Sequence, residues 1–250
     1  MIVNGLPAYK RRYFRRIELH EDSKSVSRPE YHARGLIPFC LANPQLRIER
    51  RVGLLSNMMP MTSQHVDRRA EPPHGWNDGV VWIMVEESLV AIWKWIDEAL
   101  HLKDHGMPLQ CFKLTIDGSD RESQEVWDLI KHVAMLKEAM NAWGSYREKS
   151  PEPALYDPFT SSFSWPLPWH VPSHFPQTFR EIMLGQNSIV RFPGTDTAPW
   201  DAQAFFEARK NWEEWDWRME WRENVQVTGI STTFYRDLRA RYRIEPETAG

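Results

Sequence analysis

Two imidazoles four residues apart open the search for chemistry. His101 and His105, in His-Leu-Lys-Asp-His, share one face of any helix that lasts that far, and Cys111 follows six residues later. Two imidazoles and a thiolate would suit a tetrahedral zinc ion. The glutamate that completes the HExxH pattern of metalloproteases is missing. The pair also stands at the end of a helix, where the helix dipole favours His for its own reasons. Val85, Leu89, Ile92, Trp93, Ile96 and Leu100 define the buried face of that helix. His101 lies about 100° round from Leu100 and leaves that face. Cys111 enters a strand that should carry its side chain inward. The surface reading prevails, and neither a metal nor a cofactor is expected. His170-Val-Pro-Ser-His174 repeats the spacing in a proline-bearing loop and is no stronger.

Carboxylates come next. Phe112-Lys-Leu-Thr-Ile-Asp-Gly118 alternates like a half-buried strand and ends in a turn dipeptide. Ligands of open α/β sheets gather at the carboxyl ends of strands, so Asp117, with Asp120 close behind, could hold a cation or act as a base. Asp-Gly also makes a turn by itself, and Asp120 fits a helix start, so Asp117 stands as a weak catalytic candidate beside His170. No Gly-x-Gly-x-x-Gly, no Gly-x-x-x-x-Gly-Lys and no Gly-x-Ser-x-Gly occurs. Cys40 reads as a buried small apolar group rather than a nucleophile.

Two charged or aromatic runs remain. Lys10-Arg-Arg-Tyr-Phe-Arg-Arg16 places Lys10, Arg11, Arg12, Arg15 and Arg16 around two aromatics. That patch could meet a phosphate backbone or direct nuclear import. It equally suits a solvated strand edge whose charge blocks aggregation. Net charge is −3, made of +6 over residues 1–75 and −9 beyond, so nucleic acid is not the expected partner. Among 13 Trp, the run Trp212-Glu-Glu-Trp-Asp-Trp-Arg-Met-Glu-Trp221 is the densest. On one continuous helix, Phe205, Ala208, Trp212, Trp215 and Met219 form a stripe for the core. Phe206, Trp217 and Trp221 form a second stripe, free to pack or to meet a partner.

The elements that would position these groups alternate. Strands are expected at 16–20, 46–52, 112–118 and 188–192. Helices are expected at 28–42, up to about 102, from a Ser119–Glu122 capping box to about 143, at 174–185, from Thr197 and Pro199 to about 224, and at 232–243. Residues 80–85 suit a helix start or a buried strand. Residues 56–78 and the Pro/Trp-rich 147–174 read as loop. Alternation favours a mixed α/β (α+β) fold, a few strands between amphipathic helices in one main layered domain over 1–250. The 147–174 loop is the one place where 1–146 could part from 175–250. Hydrophobic residues at 42% and charged residues at 26% fit a globular chain. Glu86, Glu87, Lys94, Asp97 and Glu98 exclude a membrane span from the most apolar stretch. No export signal opens the chain, so both cysteines are expected reduced, in cytoplasm or nucleus.

Across residues 80–222 a set of structural residues carries a resemblance. It comprises Phe112–Gly118, Phe175-Pro176 with Ile182, Asn187-Ser-Ile-Val-Arg191, and Arg209-Lys-Asn-Trp212 with Trp215 and Trp221. The pattern resembles a large group of uncharacterised proteins from filamentous fungi, some of them similar to F-box-type proteins. It implies a fungal source and intracellular life, and no activity. The adaptor-binding helix pair of the F-box type is not seen before Ile17. The leading expectation is a non-catalytic interaction or accessory protein with a protein partner. The alternatives are an enzyme or small-molecule binder with an aromatic-lined pocket under the 150–175 loop, and a nuclear nucleic-acid-associated factor.

Overall fold

The computed structural model describes residues 10, 12–21, 29–58, 80–118, 121–148, 172, 174–192, 200–224 and 227–231. It is a mixed α/β protein. Four parallel strands form the main sheet in the order β1-β2-β4-β5: β1 Arg16–Glu21, β2 Arg47–Gly53, β4 Phe112–Asp117 and β5 Val190–Arg191. The helices are α1 Ile37–Ala42, α2 Val85–His101, α3 Arg121–Glu148, α4 Phe175–Met183, α5 Ala202–Glu207 and α6 Glu214–Asn224. A 3-10 helix, Pro29–Leu36, leads into α1, and a π-helical turn, Leu54–Met58, follows β2.

The register sorts the side chains of the sheet into two faces. Ile17, Ile48 and Phe112 lie abreast, as do Leu19, Arg50, Leu114 and Val190, and Glu21, Val52 and Ile116. This is the inner face, and Ile48, Val52, Leu114, Ile116 and Val190 are fully buried there. Arg16 with Arg47, then Glu18, Glu49 and Lys113, then His20, Arg51, Thr115 and Arg191 line the outer face. Parallel sheets are normally apolar on both faces. This one alternates, as an antiparallel sheet with one wet face does, and that alternation is why its strands could be read from period two.

Arg50 is the exception on the inner face. It is buried, donates from Nε and Nη2 to Glu21 at 2.5 and 2.7 Å, and lies 4.4 Å over the Trp95 ring of α2. A buried guanidinium needs such a carboxylate to offset lost hydration. A second bidentate pair, Arg34 to Glu98 at 2.6 Å on both oxygens, ties the 3-10 helix to α2. Gly118, after β4, is required by contact: a Cβ there would come within 2.7 Å of Phe192, which stacks on Trp127 at 3.7 Å.

One continuous buried core runs from Ala33 to Trp217. Its C-terminal part is aromatic. Trp127, Phe179 and Phe192 pack together, and so do Trp143, Trp212, Trp217 and Phe205. Glu138 accepts from Arg180 at 2.5 Å and from the Trp200 indole at 2.7 Å, stapling residue 200 to α3 and α4.

Several expectations are corrected. The helix expected from Thr197 to 224 is two helices with a turn between. Asp201 caps α5 by accepting from the Ala204 amide at 2.8 Å, and Asp216 accepts from the Glu213 amide at 2.9 Å at the head of α6. On one helix Trp212 and Trp217 would diverge by about 140°; the turn lets the two rings meet edge to face at 5.2 Å. Helix α3 does not close at Gly144 but runs through it to Glu148, because Trp143 and Tyr146 still reach Trp217 and Phe206. The strand expected at 188–192 is two residues long. Residues 80–84 are a strand, β3, paired antiparallel with β6, Val227–Ser231, which was not foreseen. The 151–171 loop, Ser119, Asp120 and the expected 232–243 helix lie outside the described residues. Among the described residues no helix is long and apolar enough to cross a membrane.

Candidate functional site

Helix α2 runs back along the sheet and ends at its amino edge. Leu102 accepts from the Met107 amide at 3.0 Å across a turn in which Gly106 has φ +92°, the left-handed conformation that ends helices on glycine. The chain then runs Met107-Pro-Leu-Gln-Cys111 into β4. This loop, the starts of β2 and β4, and the approach to β5 enclose a cleft of about 410 Å³. Its apolar floor is Ile48, Ala99, Leu102, Met107, Phe112 and Ile189, and Leu109 projects at its mouth, 79% exposed.

Gln110 lines the cleft and holds φ +64°. It is the non-glycine residue in the left-handed region among the described residues. Such a conformation costs on the order of 1 kcal/mol and is often found where a site needs it. The Cys111 amide donates to the Pro108 carbonyl at 3.2 Å, closing a turn whose third residue is Gln110, the position at which such a turn takes a positive φ.

Charge around the cleft is one-sided. Arg16, Arg47, Lys103 and Lys113 line it against a single acid, Glu49. Glu49 is already engaged, by Thr115 at 3.0 Å, Arg16 at 3.0 Å and Arg51 at 2.8 Å. Burial pushes its carboxyl up, but the Thr115 and Arg16 hydrogen bonds and the charges of Arg51 and Arg16 outweigh that and hold it below the usual range. Arg16 is shared with Glu18. The Arg47 Nη1 donates to the carbonyls of Pro44 and Leu46 at 2.9 and 3.0 Å, so backbone aims it while no carboxylate among the described residues neutralises it. Lys103 is exposed, Lys113 half-buried, and neither forms an ion pair among the described residues.

Behind the cleft wall lie the two cysteines, Cys40 of α1 and Cys111 before β4, both buried and free. Burial pushes the Cys40 thiol up to about 12, and its hydrogen-bonded neighbour Cys111 adds to the rise. A thiol so raised, as at Cys40, is a poor nucleophile.

The residues expected to carry chemistry do not converge. Asp117 sits exposed at the carboxyl end of β4, the opposite edge from the cleft, and His170 lies outside the described residues. His101 is exposed and turned to Asp97, with Nδ1 2.8 Å from its carbonyl oxygen. His105 is exposed while Cys111 is buried, and no group of three metal-ligating side chains forms among the described residues. In the basic segment Arg11 is outside the described residues, and Lys10, Arg12, Arg15 and Arg16 are exposed. Arg12 donates to the Tyr13 hydroxyl, Arg15 to the Arg12 carbonyl, and Asn43 holds the segment by donating to Phe14 at 2.8 Å. Arg16 opens β1, an edge strand. Of the stripe expected to be open to a partner, Phe206 and Trp217 are core residues, 7% and 0% exposed; only the backbone of Trp221 is described. Trp215, assigned to the core stripe, is instead 64% exposed.

Sequence reasoning missed the cleft. Its pointers were Gly106, Pro108 and the cations that open β2 and β4, and none of these is distinctive without the fold. Comparison with protein families, with curated proteins and with solved structures finds no match.

Proposed function

We propose that the chain is a non-catalytic binding protein for a small molecule, held in the cleft at the amino edge of the main sheet. The observation that carries this reading is the cleft itself, about 410 Å³ with an apolar floor, a size and lining typical of ligand sites. The lining points to binding rather than catalysis. Its one carboxylate is held ionised by three partners, and the thiol behind its wall is buried. A small-molecule binder was one of the expected classes, but the site favoured here is set by the α2–β4 loop and not by residues 150–175. The interaction reading has less to stand on, since Phe206 and Trp217 are used in the core.

The test is an uncharged dye that brightens in apolar sites, N-phenyl-1-naphthylamine. One dye should bind per chain. A Ser188→Trp variant, which adds bulk on an exposed lining position, should lose that binding while keeping its melting temperature. Undiminished binding to the variant would place the ligand elsewhere and remove the basis of the reading.

A further inference from the structure

We infer that the ligand of this cleft is an amphiphilic organic anion, with a carboxylate, sulfonate or phosphate head and a compact apolar body. The inference rests on the binding reading above and adds the chemistry of the ligand. It follows from a mismatch between how the cleft's charges are held and how they are balanced.

Most ionic side chains of this sheet have partners. Arg50 is matched to Glu21, and Arg51 and Arg16 to Glu49. Arg191 of β5 has no such partner among the described residues and lies outside the cleft, but three other unmatched cations lie together. Arg47, Lys103 and Lys113 line the same cleft, and none has a carboxylate within ion-pair distance among the described residues. Arg47 is oriented by two backbone carbonyls, which fix its position and leave its charge unanswered. The one nearby acid cannot answer it, because Glu49 is taken by Thr115, Arg16 and Arg51. Arg47 and Lys103 are exposed and Lys113 half-buried, so the three like charges repel one another across solvent, most strongly at low salt. An anionic head group relieves that repulsion and gains charge-assisted hydrogen bonds.

The floor sets the rest of the ligand. Leu102, Met107, Phe112 and Ile189 offer apolar surface with no free donor, so a bare inorganic anion would leave them wet. An apolar body attached to the head covers them. Gln110, at the lip, supplies one neutral amide for a polar substituent.

The experiment uses three probes on the whole protein, each competing with N-phenyl-1-naphthylamine: 2-naphthoate, its uncharged isostere 2-naphthylmethanol, and inorganic phosphate. 2-Naphthoate should bind at least about tenfold more tightly than the alcohol, the worth of one charge-assisted contact. The advantage should shrink with added salt. A Lys103→Gln/Lys113→Gln double variant with unchanged melting temperature should lose the advantage while keeping its affinity for the alcohol. Equal affinity for acid and alcohol, both lost in Ser188→Trp, would overturn the anionic assignment and leave the binding reading intact. Phosphate competing as well as 2-naphthoate would overturn the amphiphilic assignment in favour of a simple anion. No competition by any probe, with dye binding indifferent to Ser188→Trp, would overturn the binding reading itself.

Discussion

The aromatic layer around α3, α5 and α6 and the cleft at the amino edge of the sheet differ in how far their groups are committed. The layer holds the conspicuous residues, yet its rings face each other. Trp143 donates to the Trp212 carbonyl at 3.0 Å, and Trp217 is fully buried among Trp143, Trp212 and Phe205. The cleft holds ordinary residues, Arg47, Lys103 and Lys113, whose charges meet no carboxylate among the described residues. Unusual composition marked where the protein is glued together. Unmatched groups mark where something else can bind.

The sharpest way to break that contrast is at Trp217. Trp217→Ala should cost roughly 3–5 kcal/mol, as truncation of a fully buried aromatic does. Trp217→Phe should cost much less, because the buried indole N–H has no acceptor among the described residues and the ring is held by packing. Urea unfolding measures both. An Ala variant of native stability would show that the layer is not core and would return it to the list of partner surfaces.

Acid should also act on the layer before it acts on the cleft. Burial lowers the His132 pKa from 6.5, and Arg209 adds to this, although Glu220 at 3.7 Å pulls the other way. A depressed imidazole leaves folded and unfolded chains equally neutral above about pH 6.5. Below that value the unfolded chain takes up a proton that the folded chain resists, so stability falls as pH falls. The slope is at most about 1.4 kcal/mol per pH unit for one proton. His132→Gln should therefore narrow the gap in melting temperature between pH 7.5 and pH 5.5. Glu49 of the cleft, depressed below 4.5, loses its contribution only as pH falls through that lower range, so it stays silent in this window. A variant whose gap is unchanged would show that His132 is solvated.

The smallest effect is expected on the outside. Trp215→Ala should move stability by no more than about 0.5 kcal/mol, the usual range for an exposed site. A larger loss in the purified monomer would mean that Trp215 is covered.

The strands were legible because the sheet is wet on one face: Arg16–Glu21, Arg47–Gly53 and Phe112–Asp117 alternate, and period two survives in the sequence. Helix α2 was legible for the same reason at period 3.6. The break between α5 and α6 was not, because Ala208 to Glu213 contains no Gly or Pro; the turn is imposed by the meeting of Trp212 and Trp217. The pairing of β3 with β6 joins distant segments and leaves no local trace. The cleft was hidden for a related reason. Arg47 is far in sequence from Lys103 and Lys113, and what marks all three is the absence of a carboxylate partner among the described residues, which only the folded chain reveals.

Amide chemical shifts of the labelled protein, followed while 2-naphthoate is added, test the central claim most directly. The expected result is movement confined to Lys103–Lys113, the starts of β2 and β4, and Ser188–Ile189, with the amides of Trp212–Trp217 unmoved. Shifts centred on Trp212–Trp217, or none anywhere at millimolar ligand, would contradict the assignment of the cleft as the binding site.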